Sequence, residues 1–210
     1  MVSRVISYAS RTGTKRNLAA LRGAGWRILV SAKGVHRTEG FPYAIDNGAW
    51  TSHQQGTPFD DAAFIKCVNY LGADADFVVA PDVVMGGMGS LALSLTWIPW
   101  LRDRCRRILV PVQDGMTDED IAPLLSPELG IFVGGSTEWK EATTLRWSRL
   151  AHAHGAWCHV GRVNTIRRIR ICQFAAVDSI DGSSASRYAV TLPKLDGAVR
   201  QPSLFRSLHV

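Results

Sequence analysis

Eight short apolar runs, each broken off by polar residues or glycine, limit what this chain can fold into more than any other feature. They are Val5–Tyr8, Arg27–Ser31, Tyr43–Ile45, Phe77–Ala80, Ile108–Val112, Ile131–Val133, Trp157–Val160 and Val177–Ile180. Runs of this length bounded by turn residues read as buried strands. Helical patterns lie between most of them. Lys15–Gly23 follows the first, and Asp61–Leu71, with Asp60 as its cap, precedes the fourth. A long apolar helix opens at Ser90 and should kink at Pro99. Thr117 begins a helix with Asp120 at the capping-box position, Glu138–His154 is closed by Gly155, and a basic helix covers Thr165–Ala175. About eight strands alternating with helices predict an α/β fold, a compact (β/α)8 TIM-type barrel, since an open doubly wound sheet would carry fewer strands.

Residues 33–41 leave no room for a helix, so the connection between the second and third strands is irregular. Thr51–Pro58 and the glycine-rich Met85–Gly89 read as loops, the latter flexible. The chain is taken as one domain, 1–210, with a tail from about residue 185, holding Pro193 and Pro202, that packs on the barrel.

The chain is 46% hydrophobic and 20% charged, which suits a folded globular protein and argues against disorder. No apolar run reaches membrane-span length, because Thr96 and Pro99 interrupt Leu91–Leu101. Met1–Arg4 leads straight into a strand, so no signal peptide is expected and cytoplasm is the default location. Cys67, Cys105, Cys158 and Cys172 are too scattered for a zinc cluster and are expected to be buried thiols. His152 and His154 point to different sides of a helix and cannot share a metal. No Gly-x-Gly-x-x-Gly or Gly-x4-Gly-Lys-Ser/Thr loop follows a strand, which weighs against nucleotide cofactors. A net charge of +6 and two arginine groups, Arg102/Arg104/Arg106/Arg107 and Arg162/Arg167/Arg168/Arg170, permit a polyanionic partner.

Barrel enzymes place their chemistry where strands end. Here the strand ends supply Asp46, Asp82, Gln113, Gly134-Gly135, His159 and Asp181. Two facing carboxylates suit cleavage of a glycosidic bond, one attacking the anomeric carbon and the other handling the leaving group's proton. A further carboxylate, an amide and backbone N–H groups suit the edge of a purine.

In order along the chain, these segments resemble the queuine/archaeosine tRNA-guanine transglycosylases. Asp46-Asn47-Gly48-Ala49-Trp50 is similar to that family's Asp-Ser-Gly-Gly-aromatic motif, and Phe77–Asp82 to its strand ending in a base-reading Asp. Val110–Gly115 resembles its Val-Gln-Gly segment, Gly130–Gly135 its Gly-Gly strand end, and Val177–Asp181 its Ile-Asp-x-x-Asp strand. The resemblance spans roughly Val5 to Ser184. It implies that Asp181 attacks C1′ to give a covalent glycosyl-enzyme, with Asp46 as general acid/base. Asp82, Gln113 and the backbone of Gly134 and Gly135 would read the base edge, with Trp50 stacking beside it. Asp178 is the rival nucleophile, and the motif register favours Asp181.

The family's Cys-x-Cys-x-x-Cys…His zinc site has no counterpart, because no cysteine follows Cys172. The chain is also short for tRNA-docking insertions. A zinc-free, reduced enzyme with Phe132–Lys140 and His159-x-Gly-Arg-Val-Asn is similar to the phage DpdA-type DNA guanine transglycosylases. That implies DNA and a free 7-deazaguanine base such as preQ0 as partners, host cytoplasm as the location, and no cofactor, metal or membrane. Guanine must then be flipped out of a duplex or offered in a single strand. Arg162, Arg167, Arg168, Arg170 and Lys140 are the expected contacts to the nucleic-acid backbone, and His159 a pocket or phosphate contact. The alternatives are exchange in RNA, a non-catalytic nucleic-acid-binding subunit, and an unrelated barrel hydrolase acting on a nucleoside. Gly182-Ser183-Ser184 is expected near the DNA backbone.

Overall fold

The computed structural model describes residues 5–187 and 190–201. Its eight parallel strands close in sequence order into one barrel. They are β1 (Ile6–Ser10), β2 (Arg27–Ser31), β3 (Tyr43–Asp46), β4 (Val78–Val79), β5 (Ile108–Val112), β6 (Leu129–Val133), β7 (Cys158–Val160) and β8 (Ser179–Gly182). The helices are α1 (Lys15–Ala24), α2 (Ala49–Gln54), α3 (Asp61–Leu71), α4 (Met88–Arg102), α5 (Asp118–Ile121), α6 (Thr137–Ala153), α7 (Ile166–Phe174), α8 (Ser184–Arg187) and α9 (Leu192–Arg200). The chain is therefore a compact (β/α)8 barrel. As expected, no helix separates β2 from β3.

Strand alternation builds two cores. Outward residues such as Ile28, Val30, Ile45, Val110, Val112, Ile131 and Ile180 pack beneath the helices. Inward residues Tyr8, Leu29, Ala44, Phe77, Val79 and Leu109 fill the barrel, with Ile6, Phe132 and Trp157 against them. Being buried on both faces is why these strands read as unbroken apolar runs. At the end opposite the strand carboxyl termini the lumen is closed by polar pairing. The Tyr8 hydroxyl donates to Asp76 Oδ2 at 2.8 Å, and Arg27 pairs with Asp76 at 2.7 Å.

Several helix starts are fixed by the predicted caps. Asp60 Oδ1 accepts from the Ala63 N–H at 3.0 Å, and Asp120 Oδ2 accepts from the Thr117 N–H at 2.8 Å. α4 runs through Pro99. Two departures matter for function. α2 replaces the first part of the expected loop at 51–58: Gly48, at φ +85°, turns the chain, and Asn47 Oδ1 accepts from the Ala49 N–H at 2.8 Å where the helix begins. β8 also starts later and runs further than the apolar run suggests, so Asp181 lies within the strand and pairs in register with Tyr8 of β1.

The described part of the tail, α9, packs on the outside of the barrel against α1, α7 and α8, burying Leu192, Leu195, Ala198 and Val199. The rest of the predicted tail, 188–189 and 202–210, lies outside the described residues. Cys67, Cys158 and Cys172 are buried free thiols, and Cys105 is half-buried. No helix among the described residues is long and apolar enough to cross a membrane.

Candidate active site

Barrel closure brings Asp46 (β3), Asp82 (after β4) and Asp181 (β8) to the carboxyl-end mouth. Asp181 is the most buried of the three. It is 7% exposed, and its Oδ2 lies 2.9 Å from His159 Nε2 while its Oδ1 accepts from the Arg162 N–H at 3.1 Å. Behind His159, its Nδ1 lies 2.8 Å from Ser179 Oγ, which itself accepts from Trp157 Nε1 at 2.8 Å. A carboxylate can only accept, so with Asp181 ionised the imidazole nitrogen facing it, Nε2, carries a hydrogen directed at Asp181. The ring is fully buried, stacked on Phe132 at 5.2 Å and flanked by Phe77 at 4.9 Å. His159 is thus a lumen residue that positions Asp181 rather than a phosphate contact.

The two candidate nucleophiles are separated by the strand itself. Asp178 precedes β8 at the far end of the barrel, where its Oδ2 accepts from the Cys158 N–H at 2.8 Å and lies 3.1 Å from His152 Nε2. It joins α6 to the strand, and Asp181 alone of the two faces the mouth.

Asp46 is half-buried at the end of β3, and its Oδ2 accepts from the Gly48 N–H at 3.2 Å. Burial first, then the nearby charges of Asp181 and Asp82, push its carboxyl up to about 7. Asp82 is also raised by burial, opposed by two donors: Asn47 Nδ2 and Gln113 Nε2, each at 2.8 Å. A carboxyl raised by burial and by neighbouring carboxylates can hold a proton near neutral pH, as a general acid must.

The residues expected to read the base are only partly free to do so. Gln113 Nε2 also donates to the Val83 carbonyl and Ser90 Oγ, both at 3.0 Å, while its Oε1 accepts from the Gly86 N–H at 3.0 Å. Its amide therefore pins the loop at 83–90, which sequence composition suggested would be flexible. The Gly134 N–H is used in the sheet, donating to the Val112 carbonyl at 2.9 Å. Gly135, at φ +70°, turns the chain where a Cβ would lie 2.5 Å from Asp114 Oδ2. Asp114 accepts from the Ser136 N–H and Oγ, each at 2.7 Å, and so fixes this loop. Trp50, 41% exposed on α2, stands at the rim.

The expected contacts to a nucleic-acid backbone divide sharply. Lys140 is not at the surface: it is 2% exposed, and its Nζ donates to the Gly161 carbonyl at 2.6 Å. Burial lowers it to about 8, with Arg162 acting in the same direction and Asp181 opposing. An ammonium so enclosed cannot reach a phosphate outside. It instead holds the Gly161–Arg162 peptide, whose N–H is the one aimed at Asp181. The signal for this was in the sequence, because Lys140, Thr144, Trp147, Ser148 and Ala151 share the buried helical stripe of α6.

Arg167 and Arg168 both pair with Glu141 at 2.9 Å, and Arg167 remains 79% exposed. Arg170 is bonded to Gln201 beside α9. Arg104 and Arg107, from the other group, lie over Trp100 and Trp157, and Arg107 also donates to the Asp76 carbonyl near the closed end of the barrel. Of the second arginine group, Arg162 lies over Trp50 at the mouth and Arg167 keeps the most exposed guanidinium. Beyond the expected set, Asn47 and Ser90 join the Asp46, Asp82 and Gln113 segments. Gly182 and Ser184 pack against Asn164 at the end of β8, where Asn164 Oδ1 accepts from the Ser184 N–H at 2.9 Å.

Gly161 makes this packing possible. A Cβ there would lie 2.5 Å from Phe132 Cζ and 3.3 Å from Asp181 Oδ2. Gly161→Ala is expected to displace the ring stacked on His159 and to cost about 1–3 kcal/mol of stability. A calorimetric unfolding midpoint equal to that of the unmodified chain would refute this packing.

Fold and site together define a (β/α)8 barrel with a carboxylate-lined mouth, one acid of which is backed by a Trp–Ser–His chain whose Ser179 and His159 are buried. No family model matches the chain, and no curated protein matches it. Among the described residues no group of three or more His, Cys, Asp or Glu side chains is placed to hold a metal ion.

Proposed function

We propose that the protein is a DNA guanine transglycosylase, exchanging guanine in DNA for a free 7-deazaguanine base by double displacement. The observation that carries this reading is the pairing of Asp181, held by His159 and the Arg162 N–H, with Asp46, which is raised to about 7 at the same mouth. In the first half-reaction an Asp181 oxygen bonds to C1′ while the C1′–N9 bond breaks, its electron pair leaving with the base. Protonated Asp46 supplies the proton that makes the departing guanine neutral. In the second, ionised Asp46 takes a proton from the incoming base, whose nitrogen attacks C1′ and returns the electron pair to Asp181. A group titrating near neutrality serves both steps, since it must give a proton and then accept one. Asp82, Gly135 and Trp50 surround the position of the ring.

The net charge of +6 and the exposed Arg167 suit a polyanion. The test is release of labelled guanine from DNA and, separately, from tRNA in the presence of 7-deazaguanines. Release from DNA is expected. Release from tRNA alone would move the substrate to RNA, and binding of either polymer without release would leave a non-catalytic binding protein.

A further inference from the structure

Arg162 occupies an unusual place for a surface arginine. In the closed ring of eight strands, β3 and β7 stand opposite each other. Arg162 follows β7, yet its guanidinium carbon lies 4.4 Å from the centroid of the Trp50 ring on α2, which follows β3. Its Nη2 also donates to the Gly135 carbonyl after β6, at 2.6 Å. The side chain therefore reaches from the end of β7 to the helix that follows β3, on the mouth side of the barrel. Its backbone is left-handed at φ +58°, a conformation that costs a non-glycine residue free energy and is retained where the surrounding structure requires it.

The guanidinium is held lightly. It carries five N–H donors, and among the described residues Gly135 is its one hydrogen-bond acceptor, with no carboxylate within ion-pair distance. What holds it is an aromatic face on one side, a carbonyl at its edge, and the nearby negative charge of Asp82. An aromatic face, an acceptor at the rim and a carboxylate nearby would bind any flat ring with an N–C–N edge rich in N–H donors. A guanidinium is the smallest group of that form. We infer that Arg162 is an internal occupant of the ring subsite, filling the mouth with its own guanidinium until a planar ligand displaces it.

Two consequences follow from mass action. The apparent affinity for a free base is reduced by the fraction of molecules in which Arg162 has swung out. Removing the side chain therefore tightens binding of the base, whereas removing an ordinary ligand contact would weaken it. Displacement also frees a cation at the mouth just as substrate enters, beside the exposed Arg167. The occupancy itself does not rest on the transglycosylase reading; the identity of the displacing ring does.

The probe is methylguanidinium, the terminus of the side chain itself, titrated into the full chain and read by Trp50 emission, taken as the difference from the matching Trp50→Phe protein. In Arg162→Ala it is expected to bind at millimolar concentration, at least about tenfold tighter than in the unmodified chain. Free 7-deazaguanine is expected to displace it and to bind Arg162→Ala about tenfold tighter than the unmodified chain. Circular dichroism checks the fold, and Arg162→Gln, which keeps length without charge, replaces Arg162→Ala if that variant does not fold. Absence of methylguanidinium binding to the folded variant, or equal binding to both proteins, overturns the inference. Methylguanidinium binding that 7-deazaguanine cannot displace keeps the occupancy and removes the base from the proposed function.

Discussion

Asp181→Asn is expected to abolish guanine exchange, lowering the rate by at least about 10³-fold, as removing a nucleophile does where the intermediate is covalent. Asparagine has the same shape, and its carbonyl can still accept from one of the two donors now aimed at Asp181, His159 Nε2–H or the Arg162 N–H. The barrel should therefore persist while the attacking oxygen is lost. A guanine-containing oligonucleotide labelled on its strand and incubated without incoming base should leave a covalent adduct on the unmodified protein in a denaturing gel, and none on Asp181→Asn. An adduct surviving on Asp181→Asn would remove Asp181 from the attack. Asp178→Asn serves as the contrast. It loosens the Cys158 N–H and His152 contacts at the closed end of the barrel, and its adduct should form as before.

Asp46→Asn is expected to separate the catalytic from the energetic consequences of crowding carboxylates. A carboxyl raised to about 7 in the folded chain ionises near 4 when unfolded. Between these values the folded state holds a proton that the unfolded state has lost, so stability falls as pH rises through that window and levels off above about 7. The cost at pH 8 is on the order of 2 to 4 kcal/mol, the lower end applying because the group is only half-buried. Asparagine carries no charge to desolvate and can still accept from the Gly48 N–H. Denaturant unfolding at pH 8 should find Asp46→Asn more stable than the unmodified chain, and at pH 4.5 the difference should be small. Lys140, lowered to about 8, acts in a separate window: its penalty is relieved as pH rises from about 8 toward its ordinary value near 10.5, so it does not mask this difference. Single-turnover guanine release should slow about 10²- to 10⁴-fold in Asp46→Asn and lose its decline through pH 7. An unchanged pH profile would show that another group carries the proton.

The barrel and the placement of its acids are largely legible in the chain itself, because both follow from local rules. β2 and β5 have the bounds that their apolar runs mark, and Asp60 and Thr117 begin helices through caps written in adjacent residues. Alternation along a strand, together with a polar break at its carboxyl end, places Asp46 and Asp82 at the mouth without knowledge of any contact. The residue spacing that sets Asp178 and Asp181 on opposite faces is equally local; that β8 runs to Gly182 and carries Asp181 inside it follows from pairing with β1.

Closure of the ring decided the rest. Gln113 reads as a free amide at a strand end, but a buried amide must meet its hydrogen-bonding needs, and the nearest groups are Asp82, Val83, Gly86 and Ser90 of a neighbouring loop. Lys140 lies on the inner stripe of α6, so burial took precedence over its charge and directed it to the Gly161 carbonyl. Arg162 looks like one more cation in a basic run. Only the joining of β8 to β1 sets its strand opposite β3 and lets its guanidinium reach Trp50. Sequence determined which residues arrive at the mouth, since strand period and turn chemistry act over a few residues. Tertiary structure decided which of them remain available there, since desolvated polar groups take partners from segments far away in the chain.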